Sequence, residues 1–202
     1  MAAALHIALA GNPNAGKTTL FNHLTGARQH VGNYPGVTVE KKEGICLYEE
    51  AEIRVVDPPG TYSLTAYSVE ELVARDYLVN ERPDVVVNIV DASNLERNLY
   101  LSCQFIELGV PLVIALNMID VAEKRGIYID TEKLSELTGV PVLPIIARSG
   151  KGVAELLETV QTVGRTAASP QTLLRYGSDI DEVLKELVPI IEEHKLLADT
   201  YP

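Results

Sequence analysis

Short, continuous apolar runs alternate along the chain with segments whose apolar residues recur every three to four positions. Leu5–Ala10 is the first such run and predicts a buried strand. Lys17–Leu24 has helical spacing, and Gly26 stops it. Gln29–Gly36 holds the breakers Gly32, Asn33, Pro35 and Gly36 and reads as a loop. Thr38–Tyr48 and Glu52–Val56 read as strands joined by the acidic pair Glu49-Glu50. So short a link predicts a hairpin, and with it one antiparallel strand. Ser68-Val69-Glu70-Glu71 has capping-box spacing and opens a helix towards Asn80. Val85–Val90, Val110–Leu116 and Val142–Ile146 are apolar runs suited to strands covered on both faces. Between them, Ser93 or Asn94 caps a helix that Gly109 ends, and Thr131–Leu137 is a short helix ended by Gly139. Val153–Val163 closes the unit as a last helix. The alternation predicts an α/β fold with a mostly parallel sheet of about six to seven strands flanked by helices.

Gly164–Gln171 is rich in small and turn residues and reads as a linker, which divides a domain at 1–165 from a tail at 166–202. In the tail, Ile180, Val183, Leu184, Leu187, Ile190 and Ile191 fall on one helical face, and Pro189 predicts a kink or a missing hydrogen bond. A single amphipathic helix cannot bury its own stripe. It has to pack on the first domain, on a second copy of the chain, or on further chain. On this reading the tail is the start of a longer helical domain.

Composition narrows the classes. With 47% hydrophobic and 22% charged residues in 202, a globular core forms and disorder is excluded. The net charge of -11 repels polyphosphate backbones and anionic lipid, which argues against nucleic acid and direct lipid contact as partners. Cys46 and Cys103 lie far apart and outside any C-x-x-C pair, so they read as small buried hydrophobes in a reducing compartment. His6, His23, His30 and His194 lack metal-ligand spacing. The start of the chain lacks a basic region ahead of an apolar one, and no apolar run is long enough to cross a bilayer. The expectation is therefore no signal peptide and no span in these residues.

The chemistry begins at Gly11-Asn12-Pro13-Asn14-Ala15-Gly16-Lys17-Thr18, followed by Thr19, which fits G-x-x-x-x-G-K-[ST] between a strand and a helix. The glycines let the backbone wrap an anion with N–H groups turned inward, and the helix N-terminus adds its dipole. Lys17 supplies a positive charge to β- and γ-phosphates, and Thr18 offers a hydroxyl to Mg²⁺.

Further elements follow in fixed order. Asp57-Pro58-Pro59-Gly60 is a D-x-x-G at a strand end, Asn117-Met118-Ile119-Asp120 matches N-K-x-D with Met at the second place, and Ile146-Ala147-Arg148 stands where S-A-x is expected. The Asp120 carboxylate accepts from guanine N1–H and the 2-amino group together. Adenine offers an acceptor at N1 and no 2-amino group, and an unpaired buried polar group costs about 1–3 kcal/mol. This arrangement resembles the Ras-like P-loop GTPases. The resemblance implies that Asp57 holds Mg²⁺ through water and that the Gly60 N–H senses the γ-phosphate. It also implies that Thr38, in Gly36-Val37-Thr38, joins the Mg²⁺ shell in the GTP state, and that the Ala147 N–H reaches guanine O6. The aliphatic Met118 can cover the base as a Lys stem does. Ile146 in the place of the usual Ser predicts a looser loop and faster nucleotide release.

Several stretches go beyond a generic GTPase: Gly11-Asn12-Pro13-Asn14, Val31-Gly32-Asn33-Tyr34-Pro35-Gly36-Val37-Thr38-Val39-Glu40, Gly60-Thr61-Tyr62-Ser63-Leu64, Ala74-Arg75-Asp76-Tyr77, Val90-Asp91-Ala92-Ser93-Asn94-Leu95-Glu96-Arg97-Asn98-Leu99-Tyr100-Leu101 and Ala115-Leu116-Asn117-Met118-Ile119-Asp120. Over residues 5 to 165 these resemble the G domain of the bacterial ferrous-iron transporter family, FeoB. Pro58 and Ala15 depart from it, where Leu and Ser are usual. The resemblance implies GTP and GDP as ligands, Mg²⁺ as cofactor, and a membrane transport domain in the same polypeptide. It places this domain on the cytoplasmic face of the bacterial inner membrane. It also implies a K⁺ ion held by the Asn14 side chain and the Gly32 and Tyr34 carbonyls, with faster hydrolysis in its presence. Thr61 stands where many Ras-like proteins carry a water-orienting Gln, which predicts slow intrinsic hydrolysis. Glu70 and Glu71 read as helix-start residues. A free-standing GTPase of the ribosome-assembly or tRNA-modification kind is the alternative, and a passive module that barely hydrolyses GTP is a third.

Overall fold

The computed structural model describes residues 5–26, 28–34, 37–49, 51–65, 67–166 and 176–193. Seven strands form one sheet in the order β2-β3-β4-β1-β5-β6-β7. They are β1 (Leu5–Gly11), β2 (Gln29–Asn33), β3 (Glu40–Tyr48), β4 (Ala51–Asp57), β5 (Val85–Asp91), β6 (Leu112–Asn117) and β7 (Val142–Pro144). β4, β1, β5, β6 and β7 pair in parallel, while β3 is antiparallel to both β2 and β4. Only β3 therefore runs against the rest, as the short acidic link predicted. Among the described residues the helices are α1 (Lys17–Thr25), α2 (Val69–Glu81), α3 (Leu95–Glu107), α4 (Ile119–Lys124), α5 (Thr131–Thr138), α6 (Val153–Thr166) and α7 (Ser178–Glu193).

Alternation along the central strands divides the core between two faces of the sheet. Ile7 and Leu9 of β1 join Val87 and Ile89 of β5 on the face covered by α1 and α6. Ala8, Ala10, Val86 and Val90 turn to the opposite face, beneath Tyr77 of α2 and Leu101 and Phe105 of α3. The polar Asn88 on that face is buried because its amide donates to Ser102 Oγ of α3 at 2.6 Å.

Several expectations needed correction. Gln29–Asn33 is an edge strand, paired from Gln29↔Gly44 to Asn33↔Glu40. Gly32 is tolerated there because an edge strand needs only one partner. The helix after β5 is not capped by the Ser93 or Asn94 side chains. Asp91 caps a 3-10 turn over Ala92–Asn94, its carboxylate accepting from Ser93 N at 2.8 Å, and α3 continues from there. α4 was not foreseen, since it is only six residues long. α6 runs through Gly164 to Thr166 instead of ending at Val163. Gly164 is not a breaker but a contact point: a Cβ there would stand 2.4 Å from Leu5 Cδ1 and 3.2 Å from Val85 Cγ2. Residues 167–171 of the expected linker lie outside the described residues. In α7 the apolar face is exposed, from Ile180 to Ile191, and Pro189 sits inside the helix. No helix among the described residues is long and apolar enough to cross a membrane.

Candidate functional site

Parallel pairing brings the C-terminal ends of β1, β4, β6 and β7 to one edge of the sheet, where α/β folds place ligands. The phosphate loop, Asp57–Gly60, Asn117–Asp120 and Ile146–Arg148 each follow one of these strands.

After β1 the backbone turns tightly, with Ala15 N donating to Asn12 O at 3.1 Å, and α1 starts at Lys17. Two glycines are required by space. A Cβ on Gly11 would lie 2.6 Å from the Ile89 carbonyl of β5, and one on Gly16 would lie 2.2 Å from Asn117 Nδ2. Gly16 also has φ 99°, in the left-handed region. Asn14 has φ 67°, which Asn tolerates better than most residues. The first amides of α1 open on a cavity of about 440 Å³ lined by Asn12, Pro13, Asn14, Gly16, Lys17, Thr18, Thr19, Gly60 and Met118. Its lining gathers residues that the sequence reading assigned to phosphate binding.

A second cavity of about 470 Å³ shares Lys17 and Thr18 with the first and continues past Thr38, Glu40, Asp57, Pro58, Pro59 and Glu70. The Lys17 ammonium contacts Asp57 Oδ1 and donates to the Pro58 carbonyl at 2.5 Å. Burial pushes the Asp57 carboxyl above its ordinary range, and the Lys17 charge opposes this only in part. Thr18, Thr38 and Asp57 thus meet at one cavity with two hydroxyls and a carboxylate, an oxygen-only set that fits Mg²⁺. The expected K⁺ donors have these surroundings. Asn14 lines the phosphate cavity, Gly32 is paired with Lys41 in the edge ladder, and the Tyr34 carbonyl accepts from Val37 N at 3.3 Å. Val37 lines a third cavity with Tyr34 and α2, away from the phosphate loop. Gly36 lies outside the described residues.

At the base end, Asn117 is a brace. Its Nδ2 donates to Ala15 O at 2.9 Å and its Oδ1 accepts from Ala147 N at 2.9 Å. The Ala147 N–H, expected to reach guanine O6, donates to Asn117 here. The Ile146 turn is closed by backbone bonds: Ile146 N donates to Lys151 O at 3.0 Å, while Ile146 O accepts from Ser149 N and Gly150 N. Met118 takes φ 62° at the start of α4, and its Cε lies 3.8 Å from where a Gly16 Cβ would be, which lays the thioether side chain against the phosphate loop. Asp120, in the first turn of α4, is partly exposed, and its carboxylate stands 3.9 Å from Lys124 Nζ, leaving it free to accept.

Beyond Asp57, Pro58 and Pro59 have no N–H, so Gly60 offers the first backbone donor. Thr61 N is tied to Gly11 O at 3.2 Å. The Thr61 side chain is buried, with its hydroxyl donating to Ser63 O at 2.5 Å. Thr61 is thus short for a water-positioning role and also occupied. Glu71 completes the capping box with Ser68, as the sequence suggested, whereas Glu70 lines the Asp57 cavity. The sequence reading missed Arg97 and Gln104, which hold the segment after Gly60. Their seven-residue spacing on one helix face was the available signal. Burial raises both thiols; Cys46 sits in the core as expected, whereas Cys103 is only half-buried. No group of three His, Cys, Asp or Glu among the described residues could hold a metal ion.

Comparison with known proteins decides the family. The family model described as ferrous iron transport protein B matches residues 5–160. The chain belongs to that family. A ferrous iron transport protein A/FeoB fusion protein of Porphyromonas gingivalis is 47% identical over 98% of this chain, which spans 24% of that relative's length. The cytosolic domain of L. pneumophila FeoB aligns with TM-score 0.86 and 45% identity, covering 94% of this chain and 74% of that one. The T. maritima FeoB cytosolic domain in its GMPPNP form aligns with TM-score 0.89 and 40% identity, covering 95% and 76% respectively. The family's G-domain fold is the one described above.

Proposed function

We propose that this chain binds GTP and hydrolyses it to GDP and phosphate, as the cytoplasmic G domain of a larger membrane protein that moves ferrous iron. The observation that carries the reading is the joined pair of cavities. One is backed by the phosphate loop and Met118, the other by Thr18, Thr38 and Asp57, with Asp120 free at the base end. Support for the transporter comes from relatives of that name, matched over nearly the whole chain yet about four times its length. The free-standing alternative has no comparable support.

The chain's own groups divide the work. Lys17 exchanges Asp57 and the Pro58 carbonyl for the β- and γ-phosphates, whose charge is the stronger attraction for an ammonium at the helix N-terminus. Mg²⁺, when bound, neutralises charge on the phosphate oxygens. Asp57, once freed from Lys17, would hold it through water, with the Thr18 and Thr38 hydroxyls as further ligands. The Gly60 N–H meets the γ-phosphate. Thr38 and Gly60 thereby couple the segments 29–40 and 57–67 to the presence of that phosphate, and both relax after hydrolysis. With Thr61 occupied by Ser63, intrinsic turnover is slow. Stimulation by K⁺ belongs to the same reading. Its donors are the Asn14 side chain and the Gly32 and Tyr34 carbonyls, the last of which also accepts from Val37 N at 3.3 Å.

Multiple-turnover phosphate release tests the chemistry. GTP turnover that Lys17→Ala abolishes supports it, and a chain that binds GTP without releasing phosphate refutes it. Rates in KCl and NaCl at equal ionic strength test the cation, where equal rates reject it. An antibody to this domain, used on membrane and soluble fractions of the source cells, tests the transporter. A soluble band near the chain's own 22.0 kDa would reject that part and leave the GTP chemistry standing.

A further inference from the structure

The segment that follows Gly60 closes on itself through Thr61, Ser63 and Thr65, and helix α3 holds it from outside. The Arg97 guanidinium lies over the Tyr62 ring, 4.3 Å from its centroid, although Tyr62 is 42% exposed. Two turns further along the same helix face, Gln104 Oε1 accepts from Leu64 N at 2.9 Å, and Gln104 Nε2 donates to Ser63 Oγ at 3.3 Å. The backbone carbonyl of Arg97 also receives Asn12 Nδ2 of the phosphate loop at 3.5 Å. Asn12 itself is buried, and its Oδ1 has no partner. Thr61 N is fixed to Gly11 O, so residues 61–64 are fastened to the phosphate loop at one end and to α3 at the other. Gly60 lies between Pro59 and this fastened stretch, so its N–H is placed by the anchored residues that follow it.

We propose that α3 is the template for this segment, with Arg97 and Gln104 as positioning residues for hydrolysis and Tyr62 as the handle they hold. The inference rests on the GTPase reading and adds to it. The stacked cation restricts Tyr62 to one rotamer. Gln104 fixes the two residues that follow. Together they set where the Gly60 N–H stands relative to the phosphate loop. Neither residue lines the phosphate cavity, so nucleotide binding and positioning are separable. A cation over an aromatic ring at a partly exposed site contributes enough to change a rate by roughly threefold to tenfold if it is realised mainly in the transition state. Removing Gln104 has the larger effect, because Leu64 N then loses its acceptor.

The experiment measures single-turnover GTP hydrolysis and GDP affinity for wild type, Arg97→Ala, Arg97→Lys, Tyr62→Ala, Tyr62→Phe and the Arg97→Ala/Tyr62→Ala double variant. Melting temperatures are checked for each. Arg97→Ala and Tyr62→Ala are expected to slow hydrolysis by similar factors while GDP affinity stays within about twofold. Arg97→Lys and Tyr62→Phe recover most of the rate, since each keeps the cation or the ring. The double variant is no slower than the slower single one. Additive losses, GDP affinity falling in step with the rate, or Tyr62→Phe as slow as Tyr62→Ala would each overturn the template role. Wild type that releases no phosphate would overturn the GTPase reading and this inference together. Wild-type turnover with unaffected variants would overturn this inference alone.

Discussion

Asn117→Ala removes a buried carboxamide that is bonded at both ends, and its consequences can be worked out from those two bonds. The Ala15 carbonyl of the phosphate loop loses its donor and the Ala147 N–H loses its acceptor, each now 2.9 Å from an Asn117 atom. Both groups stay buried, since Ala15 and Ala147 are at most 2% exposed. A buried backbone group left unpaired costs about 1–3 kcal/mol, so the variant should lose about 2–6 kcal/mol in total. That is a large share of the roughly 5–15 kcal/mol that separates folded from unfolded domains. The loss divides between folding and binding, because nucleotide would have to reorder both loops. Asp120→Ala provides the contrast. Its carboxylate is partly exposed and its salt bridge to Lys124, at 3.9 Å, is a surface contact worth about 0–1 kcal/mol. Urea unfolding with fitted slopes, together with GDP titration calorimetry, reads both variants. Asn117→Ala should lower stability and GDP affinity together, and Asp120→Ala affinity alone. An Asn117→Ala protein within about 0.5 kcal/mol of wild-type stability would refute the bracing role.

Three further outcomes are expected. Gly16→Ala places a Cβ 2.2 Å from an Asn117 amide that cannot yield without breaking its bonds, at a left-handed φ of 99°. It should lower the melting temperature and weaken GDP binding, both read on one preparation. Gly164→Ala meets the free end of Leu5 at 2.4 Å, a side chain that can rotate away, so it should cost clearly less in the same melt. Burial, and then the Arg54 charge, depress the His6 ring below its ordinary 6.5, while Tyr77 OH lies 2.6 Å from its Nε2. A base with a lowered folded pKa is protonated first in the unfolded chain. Stability should therefore be complete above pH 6.5 and fall as the pH drops below it, and His6→Gln should flatten that decline in urea titrations at stepped pH.

What the sequence conveyed well were features written in local chemistry. Consecutive apolar residues identified β1, β5 and β6, because strands covered on both faces have no polar side to interrupt them. The capping box at Ser68 and Glu71 was readable because both partners lie within one turn. The phosphate loop was readable because its glycines are demanded by backbone approach, as Gly11 against Ile89 shows. The rest depends on distant partners. Gln29–Asn33 looks like a loop by composition and becomes a strand only because β3 offers it a ladder. Gly164 looks like a stop but is a contact with Leu5 and Val85, more than seventy residues away in sequence. The Asn117 brace joins three segments, and no spacing within one of them reveals it. The same holds for Thr61, whose sequence position suggested a weak water-positioning group and whose hydroxyl is instead closed on Ser63.

Guanine-specific hydrolysis is tested most directly by measuring phosphate release from GTP, ATP and XTP, in Mg²⁺, for wild type and Asp120→Asn. A carboxylate at 120 accepts from both guanine N–H groups. An amide there accepts from one and donates to the 2-oxo group of xanthine. The expected result is turnover of GTP and not ATP by wild type, with preference shifting to XTP in Asp120→Asn. Equal turnover of GTP and ATP by wild type, or an Asp120→Asn protein that still prefers GTP, would contradict the placement of the base at Asp120.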